Sequence, residues 1–66
     1  MKIGDMITMS FSCFGETSKE KWRVCKFDDN EVTLENDCDE YVFDRKTGRC
    51  KNDNAMWGAK RNIKPQ

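Results

Sequence analysis

Apolar and polar residues alternate along the first strand-length segment of the chain. Between residues 6 and 14, Ile7, Met9, Phe11 and Cys13 alternate with small hydroxyl-bearing residues. Successive side chains of a β-strand point to opposite faces, so this period of two predicts a half-buried strand. The polar stretch that follows, residues 15–20, predicts a loop.

Short apolar runs separated by turn residues predict four further strands. These lie at 21–27, 32–35, 41–43 and 61–64, with a short return strand at 49–51. Gly48 is expected to take a positive φ in the turn after the fourth strand. The polar residues 52–54 could cap one helical turn at 55–57.

The register between the second and third strands is open at this point. A tight turn between them places Cys25 and Phe27 on the core face, opposite Leu34 and Val32. A slip of one residue or a β-bulge reverses the faces and buries Trp22 and Val24 instead. Both arrangements are compatible with the sequence.

Sixty-six residues are enough for one domain. Four or five short strands with tight links predict a mostly β fold. We expect a small SH3-like barrel, or else a curled antiparallel sheet, with one short helical turn near the C-terminus. Closing the sheet would remove the unpaired strand edges that a small open sheet exposes.

Composition argues against catalysis and against a membrane protein. The chain has no histidine, which removes the commonest general base and metal ligand. A core this small leaves no room behind it for an enzyme pocket of ordinary size. Asp5 interrupts the position where a signal peptide needs an apolar run, so we expect a cytoplasmic location.

Four cysteines lie at positions 13, 25, 38 and 50. They could form two disulfides in an exported chain, but without an export signal we expect free thiols. Cys13 and Cys25 are expected in the core, with Cys38 and Cys50 incidental. Close cysteine pairs are absent, so a zinc site would need four separate segments to converge, and we expect no metal and no cofactor.

Charge is strongly polarised along the chain although the net charge is zero. Residues 28–44 carry eight acidic side chains and no basic one, whereas residues 45–66 carry seven basic ones against Asp53. Such segments are either solvated surface or recognition faces. The candidate binding residues are Arg45, Lys46, Arg49, Lys51, Lys60, Arg61 and Lys64 with the aromatic Trp57, and Asp37, Asp39 and Glu40.

Three segments carry a resemblance to known proteins. The stretches YVFDRKTGR at 41–49, WGAKRNI at 57–63 and KIGD at 2–5 resemble small β-barrel proteins encoded by bacteriophages. The resemblance implies a barrel fold and a mobile-element origin, and hence the cytoplasm of a bacterial host. It implies no site residues.

Two functions remain after these exclusions. The first is a non-enzymatic protein that binds a host macromolecule, most simply a protein, through a charged surface. The second is an SH3-like module that binds nucleic acid with its basic C-terminal third. Neither needs a membrane or a small-molecule substrate.

Trp57 generates the first testable prediction. In a barrel of this size one large aromatic side chain can close an open end, burying about 150–250 Å². Trp57→Ala should then lower the free energy of unfolding by about 3–5 kcal/mol in a denaturant melt. An unchanged midpoint would instead make Trp57 an exposed binding residue.

Overall fold

The computed structural model describes residues 1–52 and 59–66 of the chain. These residues form five antiparallel strands in one sheet, curled into a half-barrel, in the spatial order β4-β3-β2-β1-β5. The strands are β1 (Met6–Cys13), β2 (Glu16–Phe27), β3 (Glu31–Glu35), β4 (Glu40–Asp44) and β5 (Lys60–Ile63). The predicted mostly β fold is confirmed, while the predicted helical turn at 55–57 lies outside the described residues.

The hairpin of β1 and β2 is longer than the sequence predicts. The two strands pair from Met6 opposite Arg23 to Cys13 opposite Glu16, and only two residues join them. The predicted loop at 15–20 is therefore wrong for residues 16–20, which belong to β2, and of this stretch only Gly15 lies in the turn. Residues 16–20 are polar on both faces, so no hydrophobic alternation marks them as a strand, yet pairing with β1 holds them extended.

A β-bulge settles the register between β2 and β3. Val24 pairs with Leu34 and Lys26 pairs with Thr33, which leaves Cys25 as an extra residue on β2. The bulged alternative is thus confirmed, and Trp22 and Val24 are buried.

The inner face of the curled sheet carries the core. All five strands contribute to the core, but the part of the β1–β2 hairpin nearest its turn does not. Its buried members are Met9, Trp22, Val24, Val32, Leu34, Phe43 and Ile63. Tyr41 packs edge-on against Trp22 with ring centroids 5.4 Å apart. Burying each of these large side chains contributes about 1.5–3 kcal/mol, so few can be lost from so small a core.

The segment 48–51 connects the two outer strands of the sheet. The Lys51 amide donates to the Val42 carbonyl of β4, and the Ile63 amide of β5 donates to the Gly48 carbonyl. Isolated bridges also join Phe43 to Cys50 and Arg49 to Asn62. The predicted short return at 49–51 therefore covers backbone groups on both edges that would otherwise be exposed for pairing.

Gly48 is the residue that allows this close approach. Its φ of 78° is the left-handed conformation expected from the sequence. A Cβ at this position would collide with the carbonyl oxygen of Ile63, which belongs to the backbone and cannot rotate away.

Gly48→Ala should lower the free energy of unfolding by more than the strain of an alanine in the left-handed conformation alone. Gly4 is the matched control, since it also has a positive φ but a Cβ there meets nothing within 4 Å. Gly4→Ala should cost about 1–2 kcal/mol from conformation alone. Gly48→Ala should cost at least about 1 kcal/mol more because β5 must shift. Equal losses in denaturant melts would contradict this account of the closure.

Candidate charged interface

The outward positions of β2 carry a row of cations. Side chains alternate along a strand, so with Trp22 and Val24 inside, Thr17, Lys19, Lys21 and Arg23 point outward. All four are exposed. The Thr17 hydroxyl lies 3.2 Å from that of Ser12 across the hairpin, which confirms that the two strands present this face together.

The same face continues across β1 and β5. Ser10 pairs with Lys19 on one side and with Asn62 on the other. A shallow groove of about 540 Å³ brings Lys19 together with Thr8, Ser10 and Lys64. Met6 and Ile7 also line this groove, so the three strands form one continuous surface that is polar except at its Met6 end.

We call this surface the basic face and define it by its cations. They are Lys19, Lys21, Arg23, Arg49, Lys60 and Lys64. Arg49 joins through its bridge to Asn62, and Lys60 through its pairing with Ser12. None of the outward positions on the described strands β1, β2 and β5 is a carboxylate. A surface of this kind attracts anionic groups.

The neighbouring strands present the opposite charge. Glu31 and Glu35 on β3 and Glu40 and Asp44 on β4 occupy outward positions, as the β3–β4 register shows. We call these residues, with Asp37 and Asp39 of the connecting turn, the acidic face. Two ion pairs attach it to basic residues: Arg23 to Glu35 at 3.1 Å and Lys51 to Glu31 at 2.7 Å. The outer surface is thus mainly basic over β1, β2 and β5 and mainly acidic over β3 and β4, with Arg23, Lys26 and Lys51 lying beside the acidic residues.

Three of the sequence-predicted basic residues are engaged within the fold. The Arg45 guanidinium donates to the Asp28 carbonyl oxygen at 2.6 Å, and Lys51 pairs with Glu31. The Arg61 guanidinium lies between two inner-face rings, 4.7 Å from the centroid of Phe11 and 4.3 Å from that of Tyr41. The structure does not place these three on the basic face.

The remaining predicted residues fall into three groups. Arg49, Lys60 and Lys64 lie on the basic face. Asp37, Asp39 and Glu40 are exposed on the acidic face, where the Asn36 side chain accepts from the amides of Cys38 and Asp39 and holds the turn. Lys46 is exposed in the turn before Gly48, and Trp57 lies outside the described residues.

Sequence reasoning missed half of the basic face. Lys19, Lys21 and Arg23 recur with a period of two, which is the signal of a strand with a charged face. The predicted loop at 15–20 leaves Lys19 outside the predicted second strand, so the row of cations is not part of the sequence prediction. Along the chain, the basic residues are concentrated in the C-terminal third. In space, cations of β2 join those of β5 on one face, because β1 and β2 lie beside β5.

All four cysteines are free thiols in the structure. They do not converge: within residues 1–52 and 59–66, the one cluster of potential metal ligands joins Cys25 to Glu35 and Glu40. Burial, and then these two carboxylates, raise the pKa of the Cys25 thiol. A raised pKa makes a thiol a poorer nucleophile at neutral pH, because the thiolate is the reactive form.

The cysteines also differ from expectation in their packing. Cys13 and Cys25, expected in the core, are only half-buried. Cys50, expected to be incidental, packs against the core from the segment that connects the two edges.

Two aspartates hold the turns beside the acidic face. The Asp44 carboxylate accepts from the amides of Lys46 and Thr47, and the Asp28 carboxylate accepts from those of Asn30 and Glu31. Hydrogen bonds to the charged form favour it, so they lower the pKa of both carboxyl groups below 3.8.

This lowering predicts a specific acid response. A depressed pKa contributes stability that is present above the unfolded-state value of 3.8 and is lost as the pH falls through the lower folded-state value. Asp44→Asn keeps an oxygen acceptor but removes the titration. Its unfolding midpoint should therefore fall less than that of the unmutated protein between about pH 5 and pH 2. Identical acid profiles in thermal melts would contradict the role given to Asp44.

Comparison with known proteins adds no further constraint. No protein-family model matches this chain, and no curated protein and no solved structure matches it either. The described residues include no helix that is long and apolar enough to cross a membrane.

Proposed function

We propose that this chain is a non-enzymatic binding protein that recognises a partner protein through its divided outer surface. The observation that carries the proposal is the grouping of six cations on one face, of which five have no ion pair to the described carboxylates of the neighbouring strands and one, Arg23, pairs with Glu35 at the boundary. Because parts of the sequence resemble bacteriophage proteins, the partner in this proposal is a protein of the bacterial host, bound in the host cytoplasm.

A surface of two opposite halves suits a partner with the complementary arrangement. Complementary charge steers the encounter and fixes the orientation of the complex, and juxtaposed like charges exclude wrong partners. A protein surface can present an acidic patch beside a basic one. A uniformly anionic polymer would meet the basic face but would be repelled by the acidic face next to it.

The absence of an activated group supports a binding role over a catalytic one. The chain has no histidine, and burial together with the neighbouring Glu35 and Glu40 carboxylates raises the pKa of the Cys25 thiol, which is the opposite of activation. Neither an acid–base pair nor an activated nucleophile is assembled among the described residues.

Nucleic-acid binding is the second candidate, and one observation favours it. The basic face combines lysine and arginine with the hydroxyls of Thr8, Ser10, Ser12 and Thr17, which are the groups that contact phosphates. The rings of Phe11 and Tyr41 lie on the inner face beside Arg61, so the basic face offers neither of them for base stacking.

Charge reversal on the basic face tests the proposal. The double variant Lys19→Glu/Lys21→Glu should lose at least about tenfold of its affinity for a protein captured from bacterial lysate. Lys2→Glu/Lys46→Glu changes the charge equally at exposed lysines outside the basic face, and it should bind as the unmutated protein does. Equal binding by both variants would contradict the proposal.

A titration with labelled single- and double-stranded nucleic acid distinguishes nucleic-acid binding, the second candidate function, from protein binding. We expect no binding at low salt. Binding that weakens steeply with salt and disappears in Lys19→Glu/Lys21→Glu would replace the protein partner with nucleic acid.

A further inference from the structure

The tip of the β1–β2 hairpin carries the most exposed large apolar side chain of the described residues. Phe14 is 78% exposed and has a φ of 51°. Gly15, the other residue of the turn, has a φ of 80°. Two consecutive positive φ values between the paired residues Cys13 and Glu16 define a type I′ turn.

Phe14 is unfavourable for this turn in two ways. The first position of a type I′ turn favours Asn, Asp or Gly, because a bulky side chain in the left-handed region is strained. The ring also gains nothing from the core, since it lies in solvent. A residue that opposes both local conformation and burial does not serve the stability of the fold, and strain of this kind is typical of functional positions.

The hairpin presents Phe14 on a supported projection. β5 lies along β1 as far as Ser12, and the Ser12 and Thr17 hydroxyls join the strands one step behind the turn. On the other side β3 pairs with β2 only from Arg23 onward. The tip therefore extends beyond β3 and β4, so that a partner can reach it.

The surroundings of the tip are basic on the outer side. Ser12 pairs with Lys60, and Lys19 lies two residues beyond Thr17 on the same face. On the inner side the residue next to the turn is the exposed Glu16, so the cations lie on one side of the tip only. An apolar ring with cations on one side is complementary to an apolar pocket that has acidic groups along the corresponding part of its border. Aromatic residues that fill such pockets carry a large share of the affinity at protein interfaces.

We propose that Phe14 is the anchor by which this protein docks, its ring entering an apolar pocket on the partner protein while Lys19 and Lys60 meet acidic groups at the pocket border. This inference rests on the proposed function and names the chemistry of the partner. It places the contact at the hairpin end of the basic face.

Phe14→Asn gives opposite results for stability and for binding. Asn is favoured in this turn position, so the thermal midpoint should rise by about 4–8 °C. Affinity for the captured partner should fall at least about tenfold. A structural role for Phe14 would instead lower the midpoint, and an incidental one would leave affinity unchanged; either result overturns the anchor.

Crosslinking locates the contact directly. Replacing Phe14 with the photoreactive p-benzoylphenylalanine and irradiating the protein in bacterial lysate should attach it to one protein. Excess unmutated protein should suppress this product, and excess Phe14→Asn should not. Equal suppression by both competitors, or a product that joins two copies of this chain, would overturn the proposed docking.

The two proposals can fail separately. If the captured protein is lost with Lys19→Glu/Lys21→Glu but retained with Phe14→Asn, the charged interface stands and the anchor is wrong. If loss occurs only with Phe14→Asn, the ring contact of Phe14 stands, and both the charged interface and the contact assigned to Lys19 at the pocket border are wrong. Capture that is insensitive to both variants contradicts both.

Discussion

The β-bulge at Cys25 is the constraint on which the other features depend. Phe27 pairs with Val32, and a regular ladder from that pair would turn Trp22 and Val24 to the solvent. The extra residue reverses the alternation, so both side chains enter the core. It thereby turns every second residue on the N-terminal side of the bulge outward, including the cations of β2. One inserted residue therefore decides both which residues stabilise the fold and which face a partner.

The division of charge on the outer surface follows from this register and from the strand order. β2, β1 and β5 are neighbours in the sheet, so cations from both ends of the sequence meet on one face. β3 and β4 come from the acidic middle of the chain and form the other half. The segment 48–51 links the edges of the two halves, and Gly48 allows it to approach Ile63. The fold thus supports a divided surface at zero net charge.

The sequence predicted those parts of the fold that alternate in hydrophobicity or contain turn residues. The strand through Met9, the short strands β3 and β4, and the left-handed Gly48 all have such local signals. The first half of β2 has no alternation in hydrophobicity, because Glu16, Ser18 and Glu20 occupy inward positions beyond the core. The bulge could be named only as an alternative, since it depends on packing between strands. The contacts of Arg45 and Arg61 within the fold could not be predicted either, because their partners are distant in sequence.

Cross-strand nuclear Overhauser effects between β2 and β3 test this account most directly, since they report the register without any substitution. The account predicts backbone contacts that pair Val24 with Leu34 and Lys26 with Thr33, with Cys25 left between them. Contacts that pair Cys25 with Leu34 would contradict it. They would place Trp22 outside and Lys19, Lys21 and Arg23 on the inner face, and the proposed interface would not exist.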